Sequence, residues 1–319
     1  MKNLVIIMVS VKKSHHKRIS IIIITILFSF CALSLAITKV VYDNIFTRYD
    51  EPVDIPQELH STVQDRQILQ FPSGDNLLAG YYYRSTNPNQ TNALVVLVPG
   101  FHAGGDSYLW QIHELLKYGW SVFTFDTTGT LRSQGDSQIG FSQSLLDLKA
   151  ALKYLKENQR FEHSELILMG HSRGAYAACC ALTQEPDVAA VVSISGVNSA
   201  MEAIMQTSIQ AIGPTSYSNY GFLWLYQASL FGADTLNQNA AHAISNSTVP
   251  VLLIHGMQDE QIPKDTCSII SHESQIMSNQ VEYLLFDGGH TDILYDTDGT
   301  ANDKLINDIH NFLLRSLSK

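Results

Sequence analysis

The chain has 319 residues, 45% of them hydrophobic and 16% charged, with a formal net charge of −10 at pH 7. This composition suits one large globular α/β domain and excludes a disordered or low-complexity chain. Residues 49–319 hold 13 basic against 29 acidic side chains, a net of −16, so the body lacks the basic footprint that nucleic-acid binding requires. The four cysteines, Cys31, Cys179, Cys180 and Cys267, fall at neither metal-ligand nor disulfide-framework spacing.

The N-terminus is of a different kind. Lys12, Lys13, Lys17 and Arg18, with His15 and His16, precede residues 19–38, which carry no charged side chain. About 20 apolar residues in helical form span a bilayer core. The pattern predicts a basic cytoplasmic segment at 1–18, a transmembrane signal anchor at 19–38 and a proline-containing tether at 39–64, with the body outside because positive charge stays inside. The competing expectation is secretion after cleavage near Ser34-Leu35-Ala36. The apolar run exceeds the usual signal core of about 7–15 residues, which favours the uncleaved anchor. Phe30 stands where a small residue would precede a lipidated Cys31, so a lipoprotein anchor fits poorly.

Two strands, 67–70 and 77–83, flank Pro72-Ser73-Gly74-Asp75-Asn76, a turn-rich cluster that predicts a hairpin. Then apolar strands at 93–98, 121–125, 166–169, 188–194, 251–254 and 281–286 alternate with helices at 108–117, 141–158, 174–183, 264–274 and 301–316. Strands this short and apolar are buried on both faces, and the alternation predicts a doubly wound, mostly parallel sheet with the antiparallel hairpin at one edge. The alternation breaks at 195–249, far longer than an ordinary connection. There Met201, Ile204, Met205, Ile209 and Ile212 fall at helical spacing, followed by Tyr217, Tyr220, Phe222, Trp224, Tyr226 and Phe231. The expectation is a helical cap at about 197–248 over the strand ends, its aromatics mostly in the cap core.

Gly170-His171-Ser172-Arg173-Gly174 lies between the strand at 166–169 and the helix at 174–183. A G-x-S-x-G in that context is a nucleophile elbow: the serine occupies a tight turn, and Gly170 and Gly174 leave room for it. A serine hydroxyl needs a base in reach and a carboxylate to orient that base. Such groups belong in loops beyond strand C-termini. Asp259 follows strand 251–254, and His290 follows strand 281–286. The chain order Ser172, Asp259, His290 is the order that accompanies the elbow. His102, His171 and His255 are rival histidines, and Glu260 is a rival acid. Asp292 is expected to be a surface or supporting group. Backbone N–H groups must hold the developing oxyanion, and Arg173 and Phe101, in the turn Pro99-Gly100-Phe101-His102-Ala103-Gly104-Gly105, are the expected donors. That Gly-rich turn lacks the G-K-[ST] of a phosphate loop.

With Pro99-Gly100-Phe101, Phe125-Asp126-Thr127-Thr128-Gly129, Ser133-Gln134-Gly135-Asp136-Ser137, the elbow, His255-Gly256-x-x-Asp259 and Gly288-Gly289-His290, residues 65–317 resemble the α/β-hydrolase superfamily. The likeness is to its membrane-anchored or secreted bacterial esterases and acyl hydrolases. The sequence departs where many relatives have His-Gly in place of Pro99-Gly100, and Arg-Gly-x-Gly after the Asp126 equivalent. The resemblance implies an α/β-hydrolase domain at 65–319 and a serine hydrolase that acts on a small acyl or ester substrate without metal or cofactor. Peptidase and thioesterase chemistry are variants of the same machinery. The alternative from another class is a membrane-tethered protein that binds without turnover, against which the full set Ser172, Asp259 and His290 speaks.

Overall fold

The computed structural model describes residues 2–161, 164–185 and 187–318; for residues 2–17 it describes the backbone alone. The side chains of Lys12, Lys13, His15, His16 and Lys17 therefore lie outside the described set. Eight strands form one sheet in the order β1-β2-β4-β3-β5-β6-β7-β8. β1 (Gln67–Ser73) and β2 (Asn76–Tyr83) are the hairpin, and β2 pairs antiparallel with β4 (Ser121–Phe125). From there β3 (Ala93–Val98), β5 (Glu165–His171), β6 (Ala190–Ile194), β7 (Val251–Gly256) and β8 (Val281–Phe286) run parallel.

Side chains alternate across the sheet. Leu94, Val96 and Val98 enter a core with α4 (Gln143–Glu157) and α5 (Arg173–Ala181), whereas Ala93, Val95 and Leu97 enter one with α3 (Leu109–Lys117) and α10 (Asp303–Leu317). Two buried faces explain why these strands read as unbroken apolar runs. α5 carries Ala175, Ala177, Ala178, Cys179, Cys180 and Ala181, all fully buried; side chains this small let it lie close against the sheet.

The interval after β6 holds α6 (Ala200–Ile212), a 3₁₀ turn (Gly213–Asn219), α7 (Tyr220–Phe231) and the short α8 (Ala233–Leu236) and α9 (Ala240–Ser245). Met201, Ile204, Met205, Leu223 and Phe231 are buried, but Ile212, Tyr217 and Tyr220 face outward. The apolar stripe is thus wider than the core it covers.

Two expectations change. The helix expected at 264–274 is a series of turns ending in a 3₁₀ segment (Ile270–Gln275). Ser268 Oγ donates to the Lys264 carbonyl, Ser271 N–H donates to Ser268 Oγ, and Ser271 Oγ donates to the Ser268 carbonyl. These bonds compete with the helical ladder.

The segment expected as a tether at 39–64 is in part packed against the body. α1 is one helix from Lys2 to Ile45, and among the described residues Arg18–Ile45 is the helix long and apolar enough to cross a membrane. Beyond the apolar run, Tyr42 and Phe46 are buried in the α4/α5 core. The Phe46 carbonyl accepts from Gln138 N–H and the Tyr49 carbonyl from Leu131 N–H. The Arg48 guanidinium donates to the carbonyls of Leu131, Ser133 and Gly135. Short α2 (His60–Gln64), with buried Leu59 just before it, completes the path to β1.

Candidate active site

Ser172 occupies the bend between β5 and α5 with φ 56° and ψ −119°. That backbone costs a non-glycine residue about 1–3 kcal/mol and persists only where its surroundings enforce it. The enforcement is visible. Ser172 N–H donates to the Ile194 carbonyl at 2.9 Å, and the Ser172 carbonyl accepts from Ala175 and Tyr176 at the start of α5. A Cβ on Gly170 would lie 2.3 Å from the Gly174 carbonyl oxygen, and one on Gly174 would lie 2.1 Å from that of Val98. Strand, bend and helix are therefore closer than any side chain allows. Ser172 opens on a cavity of about 400 Å³ that is also lined by His290, Phe101, His102, Tyr108, Gln261, Leu294 and Tyr295.

Asp259 and His290 come together from the loops after β7 and β8. Asp259 Oδ2 accepts from His290 Nδ1 at 2.7 Å, and Oδ1 accepts from the N–H groups of Gln261 and Ile262 at 3.0 and 2.8 Å. Burial raises the carboxyl pKa, but the His290 hydrogen bond and charge and the Ile262 N–H outweigh it and hold Asp259 below its usual range. With Nδ1 engaged by Asp259, Nε2 is the ring nitrogen that remains to meet another group. Glu260, the rival acid, is exposed. His255 is buried, donates from Nε2 to the Ile262 carbonyl at 2.8 Å and lies 3.3 Å from Asp259 Oδ2, a structural place. Asp292 accepts from Gly289 N–H and so braces the His290 loop from outside.

Phe101 lies on the loop after β3, and Arg173 is the first residue of α5. The Arg173 side chain turns away from the cavity and is fully buried, with its guanidinium 5.5 Å from the Phe101 ring centre and one nitrogen donating to Thr127 Oγ1. Burial depresses its pKa to about 10. The Phe101 loop is pinned from below, since Gly105 N–H donates to Asp126 Oδ1 at 3.0 Å and Tyr81 Oη donates to Asp126 Oδ2 at 2.6 Å. His102 is held by ring stacking on Tyr49 and Phe101, away from Asp259.

Sequence reasoning missed a bridge beneath the cavity. Tyr108 Oη accepts from Gly100 N–H at 3.0 Å and donates to His171 Nδ1 at 3.0 Å. His171 Nε2 then donates to the His290 carbonyl at 3.0 Å, which also accepts from Ser195 Oγ at 3.2 Å. Burial, followed by the nearby His290, pushes the His171 pKa down to about 3, so the ring is neutral. The bridge ties the Phe101 loop to the His290 loop across sequence separations that no local pattern signals. None of the cap residues 197–248 lines the cavity. Among the described residues no group of three or more His, Cys, Asp or Glu side chains is placed to hold a metal ion.

The family described as Serine aminopeptidase, S33, matches residues 89–217. Among curated relatives, the bis(hydroxyethyl) terephthalate hydrolase of Streptomyces coelicolor is 34% identical over 121 residues, 37% of each chain. Cutinase 2 of Thermobifida cellulosilytica is 29% identical over 163 residues, 48% of this chain and 58% of that protein. The match thus spans less than two thirds of either relative. Among solved structures, an esterase of Pyrococcus furiosus superposes with a TM-score of 0.63 at 19% identity, over 85% of this chain and 99% of that one. Est1E of Butyrivibrio proteoclasticus, solved with ferulic acid, gives 0.60 at 17% identity, over 79% and 100%. The strand order and these structural matches show that the chain has the α/β-hydrolase fold.

Proposed function

We propose that this protein is a serine hydrolase that cleaves carboxylic esters, with its catalytic domain at 65–319. The observation that carries the proposal is the 2.7 Å hydrogen bond from His290 Nδ1 to Asp259, with His290 and the strained Ser172 on one cavity. In this reading Ser172 Oγ attacks the ester carbonyl and His290 Nε2 takes its proton. Asp259 holds the tautomer and stabilises the imidazolium. The Phe101 and Arg173 amides receive the oxyanion. His290 returns the proton to the departing alcohol, then activates the water that frees Ser172 from its acyl group. The cavity volume suits an acyl or aromatic ester of modest size.

The family description favours a second reading, an aminopeptidase. No carboxylate lines the cavity, so nothing there would pair with the charged α-amino group of such a substrate, and the ester reading is preferred. We further propose that α1 anchors the protein, with its N-terminus cytoplasmic and the catalytic domain outside; positive charge before a long apolar helix supports this topology.

The test is to treat the full chain in detergent, wild type and Ser172→Ala, with a fluorophosphonate probe and to locate the label by mass spectrometry. Short-chain nitrophenyl esters and aminoacyl amides are then assayed in parallel. Labelling of Ser172 with ester turnover, both lost in the variant, is expected. A folded wild type that neither labels nor turns over any substrate would reject catalysis. Amide turnover exceeding ester turnover would select the peptidase.

A further inference from the structure

We propose that the outward face of α6, the 3₁₀ turn and α7 is a second membrane contact, immersed in the phospholipid bilayer that α1 enters. The inference rests on the reading of α1 as an anchor and goes beyond it, because an anchor alone leaves the body in water.

Three observations carry it. First, no charged residue stands between Glu202 and Asp234, whereas a helical surface facing water normally carries charge. Second, the apolar side chains there are uncovered: Ile212 and Tyr217 are each 63% exposed and Leu225 is 53% exposed, with Tyr220 and Leu230 beside them. A contiguous face of this kind marks an interaction surface. Third, its position along α1 is fixed. Phe222 packs on Phe30 with ring centres 6.2 Å apart, Thr38 Oγ1 bonds to Asn219, and Tyr226 Oη lies between Lys39 and Asp43.

These contacts set a depth. If residues 19–38 fill a hydrocarbon core of about 30 Å, Phe30 lies about 12 Å inside its outer edge at 1.5 Å rise per residue. The ring of Phe222 reaches that level, so α7 cannot remain wholly in water while α1 crosses. The Lys39, Asp43 and Tyr226 cluster then falls at the boundary. Tyr217, Tyr220 and Trp224 belong to the residue types that populate such interfaces. An apolar groove of about 440 Å³ between α1 and this face, lined by Ile37, Val41, Ile45, Ile204 and Ile212, makes the surface continuous with the anchor. Phe46, one residue past α1, packs on Phe101 with ring centres 5.2 Å apart, which brings the Ser172 cavity close to the lipid surface.

The test is spin-label accessibility in the full chain, reconstituted into phosphatidylcholine–phosphatidylglycerol nanodiscs. With Cys31→Ser as background, the remaining cysteines are buried and unreactive. Single nitroxides go to Leu225→Cys and Tyr217→Cys on the proposed face. Phe28→Cys, 74% exposed on α1, and Met277→Cys, 82% exposed before β8, serve as references. The expected result is a ratio of oxygen to nickel-chelate collision severalfold higher at 225, 217 and 28 than at 277. Labels at 225 and 217 that match 277, with 28 in lipid, would overturn the docking and leave the anchor standing. A label at 28 that matches 277 would overturn the anchor and the docking together. Labels at 225 and 217 shielded from both reagents, with dipolar broadening between molecules, would assign the face to a second copy of the chain and overturn the proposal.

Discussion

His171 makes this protein acid-sensitive in a way that one substitution should reveal. The ring is buried beside Ser172, and its pKa is pushed down to about 3 from about 6.5 in an unfolded chain. Below pH 6.5 the unfolded chain therefore takes up a proton that the folded chain refuses. The His171 contribution is fully present above pH 6.5. It falls by about 1.4 kcal/mol per pH unit below that value and is exhausted near pH 3. Between pH 7 and pH 5 this group alone removes about 2 kcal/mol. His171→Gln keeps a nitrogen donor for the His290 carbonyl but has no titrating ring. The measurement is urea unfolding of the full chain in detergent, followed by tryptophan fluorescence at both pH values. The variant should be less stable at pH 7, because Tyr108 loses its acceptor, yet its loss on going to pH 5 should be smaller by about 2 kcal/mol. His255 shifts in the same direction but is common to both chains and cancels in the comparison. Equal losses in the two proteins would refute the reasoning.

Asp259→Asn preserves shape but presents an amide to His290 Nδ1, so kcat on a nitrophenyl ester should fall by about 10⁴-fold in a variant that still folds. Gly174→Ala places a methyl group 2.1 Å from the Val98 carbonyl oxygen; the expected outcome is a loss above about 3 kcal/mol or no folded product, read by thermal denaturation. Arg48→Met keeps the aliphatic stem but strips donors from three carbonyls. Since water reaches this side chain, the expected cost is about 1–3 kcal/mol in urea unfolding, with faster proteolysis between residues 50 and 64.

What the sequence made legible follows the range of the interactions involved. The strands and the loops that carry Ser172, Asp259 and His290 could be read because apolar runs end in polar turns, and strand ends in such a sheet face one edge. The elbow was legible because Gly170 and Gly174 answer to backbone neighbours a few residues away or on the adjoining strand. The Tyr108–His171 bridge was not, since it links Gly100 to His290 through side chains that meet only after the sheet is assembled. The turns at 264–274 hid behind helical periodicity until their serines bonded back to the chain. Tyr217 and Tyr220, expected mostly in the cap core, face outward, because hydrophobicity alone does not say which surface a residue packs against.

The docking of residues 42–49 bears on how far the body could move from the proposed anchor. A free leash over 39–64 would let the body swing through a hemisphere with an r.m.s. radius of about 25–30 Å. Tyr42 and Phe46 in the core and Arg48 across three carbonyls remove that leash. On the proposed anchoring, Ser172 would then be held at one height and one heading. If the proposed ester chemistry holds, molecules stationed farther out would be beyond its reach, and it would meet those that travel along the surface where it is fixed.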